Sequence, residues 1–129
     1  MQEIDEMLKT HPMSDQAKKV QNLMAKAVLC STTCYTCADA CLSQQETNKL
    51  TDCIRINLDC ATICEATTQI LARPASYNTS FAKKMIEACK EVCRACAEEC
   101  EKHANMHEHC KICAQSCRTC VKACQEFLN

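Results

Sequence analysis

The spacing of its cysteines constrains this chain more than any other feature. Cys89, Cys93, Cys96 and Cys100 follow one another at steps of four, three and four residues. On an α-helix such steps return to one side, so the four thiols stand in a single row. Cys30, Cys34, Cys37 and Cys41 repeat the spacing, and Cys110, Cys113, Cys117, Cys120 and Cys124 carry it to five rungs. Cys53, Cys60 and Cys64 keep the rhythm with one rung missing, because Asn57 stands where a cysteine would fall. The rest of the sequence has to accommodate four helical segments, each with its own cysteine row.

Composition agrees with helices throughout. There is no glycine, only two prolines and four aromatic residues, whereas hairpins and tight turns lean on glycine. An amphipathic helix is expected over residues 1–10, with Ile4, Met7 and Leu8 on one side, ended by the turn at His11-Pro12-Met13. Ser14 is the expected N-cap of a long helix reaching about residue 44. A second long helix runs from Thr47 to Arg73, where Pro74 stops it. After the loop at 76–80, with Asn78 or Thr79 as cap, a third runs to His103 and a fourth continues to Phe127. The predicted fold is all-α: an antiparallel up-down-up-down four-helix bundle over 14–129, with residues 1–13 as a short N-terminal helical extension.

The stripes also predict a polarity. Beyond the cysteines they continue through Val20, Leu23, Ala27, Leu71, Ala82, Met85 and Phe127, which this topology gathers at one apolar end. The opposite end receives Cys41, Cys53, Cys100 and Cys110 together with His103, Met106, His107 and His109, a polar mouth. Ile56, Ile63 and Ile70 on one flank of the second long helix, with Ile54, Leu58 and Ala61 on the other, either widen the core or form a subunit interface.

Several function classes drop out. Fifteen Lys and Arg nearly balance sixteen Asp and Glu, with no basic patch or aromatic platform for nucleic acid. The apolar runs are too short to span a membrane. The charged start reads as cytoplasmic, and an exported form with its leader removed would read the same. No serine or threonine has a nucleophile's partners, Glu98 and Glu99 read as a solvated face, and the C-x2-C steps lack a thioredoxin context, so no enzyme is expected.

The thiols therefore carry the chemistry. A disulfide scaffold would be rich in loops, and thiols stacked in one helical row are poorly placed to pair with their sequence neighbours. Buried cysteine packs as a small hydrophobe, but leucine fills a bundle better than sixteen thiols in register. Cys30, Cys34 and Cys37, like Cys89, Cys93 and Cys96, match the C-x3-C-x2-C pattern of enzymes that use S-adenosylmethionine and an iron–sulfur cluster. That motif needs a loop around the cluster, and here it is a by-product of 3-4 periodicity. Zinc stays open, since C-x2-C steps occur at 34/37, 93/96, 110/113 and 117/120. Cu(I) is content with two or three sulfurs and can share them, which suits a continuous column better than separate tetrahedra do. Two thiolates about 6 Å apart repel by roughly 3 kcal/mol at an effective dielectric of about 20, so an empty core should hold mostly neutral thiols. His11 reads as a solvated loop residue, Met85 as core, and Met13 and Met106 as thioethers available at the two ends.

The cysteine rows, with the junction HANMHEHCKICAQSC, resemble the bacterial copper storage proteins over residues 14 to 127. That resemblance implies a bundle binding multiple Cu(I) ions per chain, with all sixteen cysteines as ligands. It implies a mouth at His103, His107 and His109 where metal enters or leaves, and assembly as a homodimer or homotetramer. Copper-trafficking proteins would then be its partners. Zinc or general soft-metal sequestration, and a structural cysteine-rich interaction module, are the alternative readings of the same residues. Asn57 departs from an unbroken row and leaves copper occupancy there in question.

Overall fold

Proline and short polar links divide the chain into helices. The computed structural model describes residues 1–129. Five α-helices follow in order: α1 (Gln2–Thr10), α2 (Ala17–Leu42), α3 (Thr51–Leu71), α4 (Ser80–Glu101) and α5 (Glu108–Leu128). Three 3-10 turns, Ser14–Gln16, Thr47–Leu50 and Pro74–Ser76, lead into or out of them, and there is no strand. All-helical architecture is thus as expected. No residue adopts a positive φ and no peptide bond is cis.

The helix ends differ from expectation in small ways that have local causes. Ser14 does not cap α2: it opens a 3-10 turn, its side chain makes no cap hydrogen bond, and α2 begins at Ala17. Thr47 likewise opens a 3-10 turn rather than α3 itself. At α4 the cap is Thr79, whose Oγ1 accepts a hydrogen bond from the Ala82 backbone N–H at 3.2 Å. Helix α3 ends at Leu71, and Pro74, with no N–H to donate, starts the following turn.

Helix α2 packs along α3 and α5, and α4 packs along the same two. The residues buried between them recur at three- and four-residue steps, the spacing of an inward helical stripe. Val20, Leu23, Ala27, Leu71 and Ala82 are buried beyond the cysteines, as their positions predict. Full burial of a side chain the size of Leu23 or Leu71 is worth about 1.5–3 kcal/mol. Met85 is a correction: Ile86 takes the core position, and Met85 is only half-buried. Ile86 lies three residues before Cys89 and seven before Cys93, closer to the centre of the stripe than a step of four. Phe127 is half-buried, set edge-on to Tyr77 at 6.1 Å between ring centroids, with Lys19 Nζ 5.4 Å over its ring.

Only Leu8 of the apolar side of α1 is buried, while Ile4 and Met7 stay exposed. The Gln21 side chain ties α1 to α2 by donating to the Asp5 carbonyl at 2.9 Å. On α3, Ile54, Ile56 and Ile63 pack against the core at its margin, and Leu58 faces outward.

Candidate metal centre

The four rows meet as a continuous column of sulfur. All sixteen cysteines are unpaired and buried, none more than 1% exposed. Neighbouring sulfurs stand in van der Waals contact across the helices: Cys60 to Cys93 at 3.7 Å, Cys64 to Cys89 at 3.8 Å, Cys30 to Cys117 at 3.8 Å and Cys53 to Cys100 at 3.7 Å. A disulfide needs about 2.05 Å, so these contacts are packed thiols and the scaffold reading fails. Cys30, Cys64, Cys93 and Cys120 form one group of four sulfurs all within 4.8 Å of one another. Cys30, Cys34, Cys60 and Cys117 form the next, and Cys34, Cys96, Cys113 and Cys117 a third. Adjacent groups share sulfurs, Cys30 in one case and Cys34 with Cys117 in the other. Sulfurs held this way suit ions that accept bridging thiolates.

Asn57, a missing rung by spacing alone, stands inside the column with no exposed surface. Its Oδ1 accepts from the Cys113 thiol at 3.0 Å and the Cys96 thiol at 3.3 Å. Its Nδ2 donates to the Cys53 carbonyl at 2.8 Å and lies 3.5 Å from the Cys37 sulfur. The amide thus bonds to groups on α2, α3, α4 and α5. Its place in the α3 row, four residues after Cys53 and three before Cys60, was the available signal. At the far end of the same row stands Thr67, also fully buried, its hydroxyl returned to the Ile63 carbonyl at 2.8 Å.

At the mouth the structure joins some of the expected residues and separates others. His109 Nε2 lies 3.5 Å from Cys41 Sγ, and Cys110 Sγ lies 4.0 Å from the same sulfur. Cys37, Cys41, Cys110 and His109 thereby make a group of four donors within 4.8 Å, and Cys37, Cys53 and Cys100 an adjoining group of three. The His107 ring is 5.2 Å from that of His109. His103 and His107 line an open cleft of about 370 Å³ with Met106, Gln44 and Glu46, outside the sulfur column. Glu99 is not simply solvated: half-buried, it accepts from Lys102 Nζ at 3.2 Å and meets His103 Nε2 at 3.0 Å. Met13 and His11 sit in the turn directly after α1, where the Met13 N–H donates to His11 Nδ1 at 3.0 Å.

Burial raises two of the mouth thiols, Cys41 and Cys110. Removal from water pushes Cys41 up to about 11, with the nearby Cys53 adding to the effect, and raises Cys110 for the same first reason. His109 is lowered, first by burial and then by the proximity of His107, so its imidazole stays neutral and able to ligate. Two thiolates 3.9 Å apart, the separation of Cys30 and Cys60, would repel by about 4 kcal/mol at an effective dielectric of about 20. Neighbouring thiols in a metal-free column therefore cannot ionise together, and most of them stay neutral.

An all-helical core walled with unpaired thiols and bearing imidazoles at one end defines a class, that of thiol-lined proteins suited to soft metal ions. A copper storage protein family profile matches residues 16–129. This chain belongs to the copper storage protein family. It is 40% identical to the copper storage protein Ccsp of Streptomyces lividans, whose structure loaded with 10 copper equivalents matches over 97% of each chain with a TM-score of 0.92. Ccsp is described as cytosolic. The Cu(I)-bound copper storage protein BsCsp3 is 29% identical over 86% of this chain and 99% of its own, with a TM-score of 0.75. An uncharacterized cysteine-rich protein of Bacillus subtilis, YhjQ, is 33% identical over 82 residues, 64% of this chain and 70% of its own.

Proposed function

We propose that this protein stores Cu(I), holding many ions per chain on the sixteen cysteines of its core. The observation that carries the reading is the column itself: sixteen buried, unpaired thiols, thirteen of them with a sulfur neighbour at 3.7–4.0 Å, in groups that share members. Each monovalent ion displaces about one thiol proton, so the interior stays near neutral as it fills. His103, His107 and His109 serve the mouth, His109 against the sulfurs and the other two in the cleft outside.

Residues 14–129 act as an antiparallel up-down-up-down four-helix bundle with residues 1–13 as its extension, a topology supported by the pairing of α2 and α4 with both α3 and α5. The protein is a container with no catalytic role. Its partners are copper ions and the proteins that deliver or collect them. A cytoplasmic location is supported by the likeness to the cytosolic copper storage protein of Streptomyces lividans. The half-buried Ile56, Ile63 and Ile70 on the margin of α3 supply an apolar surface for a homodimer or homotetramer.

The test is an anaerobic titration of the reduced chain with Cu(I) against a competing chelator. Storage requires tight uptake of well over about four ions per chain, the number at which unshared four-sulfur sites would saturate. Saturation at or below that number would replace storage with discrete sites.

A further inference from the structure

We propose that Cys37, Cys41, Cys110 and His109, at the mouth end of the sulfur column, form a preorganised tetrahedral site that takes one divalent ion of the zinc class when the column holds no copper; the site shares residues with the storage reading but is tested separately from it.

The four donors come from two elements only. Cys37 and Cys41 are one turn apart on α2, and His109 and Cys110 occupy the first turn of α5. All four ligand atoms lie within 4.8 Å of one another. Zinc bonds of about 2.3 Å to sulfur and about 2.0–2.1 Å to nitrogen set the edges of a regular tetrahedron at about 3.8 Å between sulfurs and about 3.5 Å between sulfur and nitrogen. The Cys41–His109 edge is 3.5 Å and the Cys41–Cys110 edge 4.0 Å, so an ion fits with little movement.

Ligand type and charge separate this group from the sulfur groups deeper in the column. Three cysteines and one histidine are a zinc donor set, and imidazole is a borderline donor that suits zinc as readily as copper. With three thiolates the divalent complex carries a single net negative charge. An all-sulfur group would carry two, in a region where none of its four side chains reaches water. The mouth group has a half-exposed member, His109. The Asn57 Nδ2 lies 3.5 Å from Cys37 Sγ, placed to donate to a metal-bound thiolate and spread its charge. Binding balances as one divalent ion in and three thiol protons out, with neutral His109 adding its lone pair.

The experiment uses the reduced, metal-free full chain, titrated anaerobically with Co2+ and then Zn2+ in the presence of a colorimetric chelator. The expected result is one Co2+ per chain with intense tetrahedral ligand-field bands and a thiolate charge-transfer band. One equivalent of Zn2+ should bleach both, with about three protons released per ion. His109→Ala should weaken Zn2+ binding by about tenfold or more, while Thr79→Ala, at the cap of α4 and outside every donor group, should leave it within about twofold. Cys41→Ala serves as the second variant, and far-UV circular dichroism verifies the helices of each. Weak octahedral bands, no tight uptake of either ion, or unaltered Zn2+ affinity in both His109→Ala and Cys41→Ala would overturn the proposal. Full Cu(I) uptake by a protein that refuses zinc removes this site alone and leaves the storage reading standing.

Discussion

The Cys113 thiol donates a hydrogen bond to Asn57 Oδ1 at 3.0 Å in the closed interior of the protein. The same oxygen receives the Cys96 thiol, and the amide nitrogen reaches back to the Cys53 carbonyl. One side chain thus fixes which way the thiols around it point.

Asn57→Ala should therefore destabilise the metal-free protein. It removes hydrogen bonds to buried partners and leaves a cavity, together worth about 2–4 kcal/mol. Urea unfolding of the reduced, chelator-treated protein reads this directly. A loss under about 0.5 kcal/mol would mean that the thiols satisfy one another without the amide.

Single ligand replacements should behave differently. Cys93→Ser or Cys117→Ser should lower copper capacity by about one ion while leaving the helices intact, because each sulfur is one of several within reach of its neighbours. The buried hydroxyl costs about 1–2 kcal/mol. Chelator competition and circular dichroism on the same samples check both points. Unfolding by either replacement would make packing the first task of that thiol.

Stability should fall in alkali. Cys41 is held near 11 in the folded chain against an ordinary thiol value of 9.0. A group raised in the folded state contributes stability below its unfolded value and loses it as the pH climbs toward the folded one. Thermal melts of the metal-free protein should be level up to about pH 9 and decline between about pH 9 and 11. The Cu(I)-loaded protein, whose thiols have already lost their protons, should show little of that decline.

The cap of α4 offers a fold-only control. Thr79→Ala removes the acceptor of the Ala82 N–H and should cost about 1 kcal/mol, with Cu(I) capacity unchanged. A fall in capacity would mean that the apolar end of the molecule takes part in holding metal.

Most of this architecture was legible in the spacing of cysteine, because a 3-4 rhythm has one meaning on a helix and four such rows need one another for cover. Cys41 and Cys110 at one end, and Leu23 and Leu71 at the other, were readable for the same reason. The rest depends on contacts across helices or on detail finer than the repeat. Asn57 looked like a missing rung because its partners Cys37, Cys96 and Cys113 lie on α2, α4 and α5. Glu99 looked solvated because its contact with His103 forms only where α4 ends in a turn. Ile86 displaced Met85 because a helical stripe drifts, so residues three and four apart compete for the same depth.

Four long helices bury every thiol between them before any metal arrives. On the storage reading, ions are taken in by the turning of thiol side chains within walls that stay put. Little of each ion's affinity is then spent on reshaping the vessel. Successive ions would differ in hold chiefly through how many sulfurs remain and how charge accumulates, a gradient written in stoichiometry instead of strain.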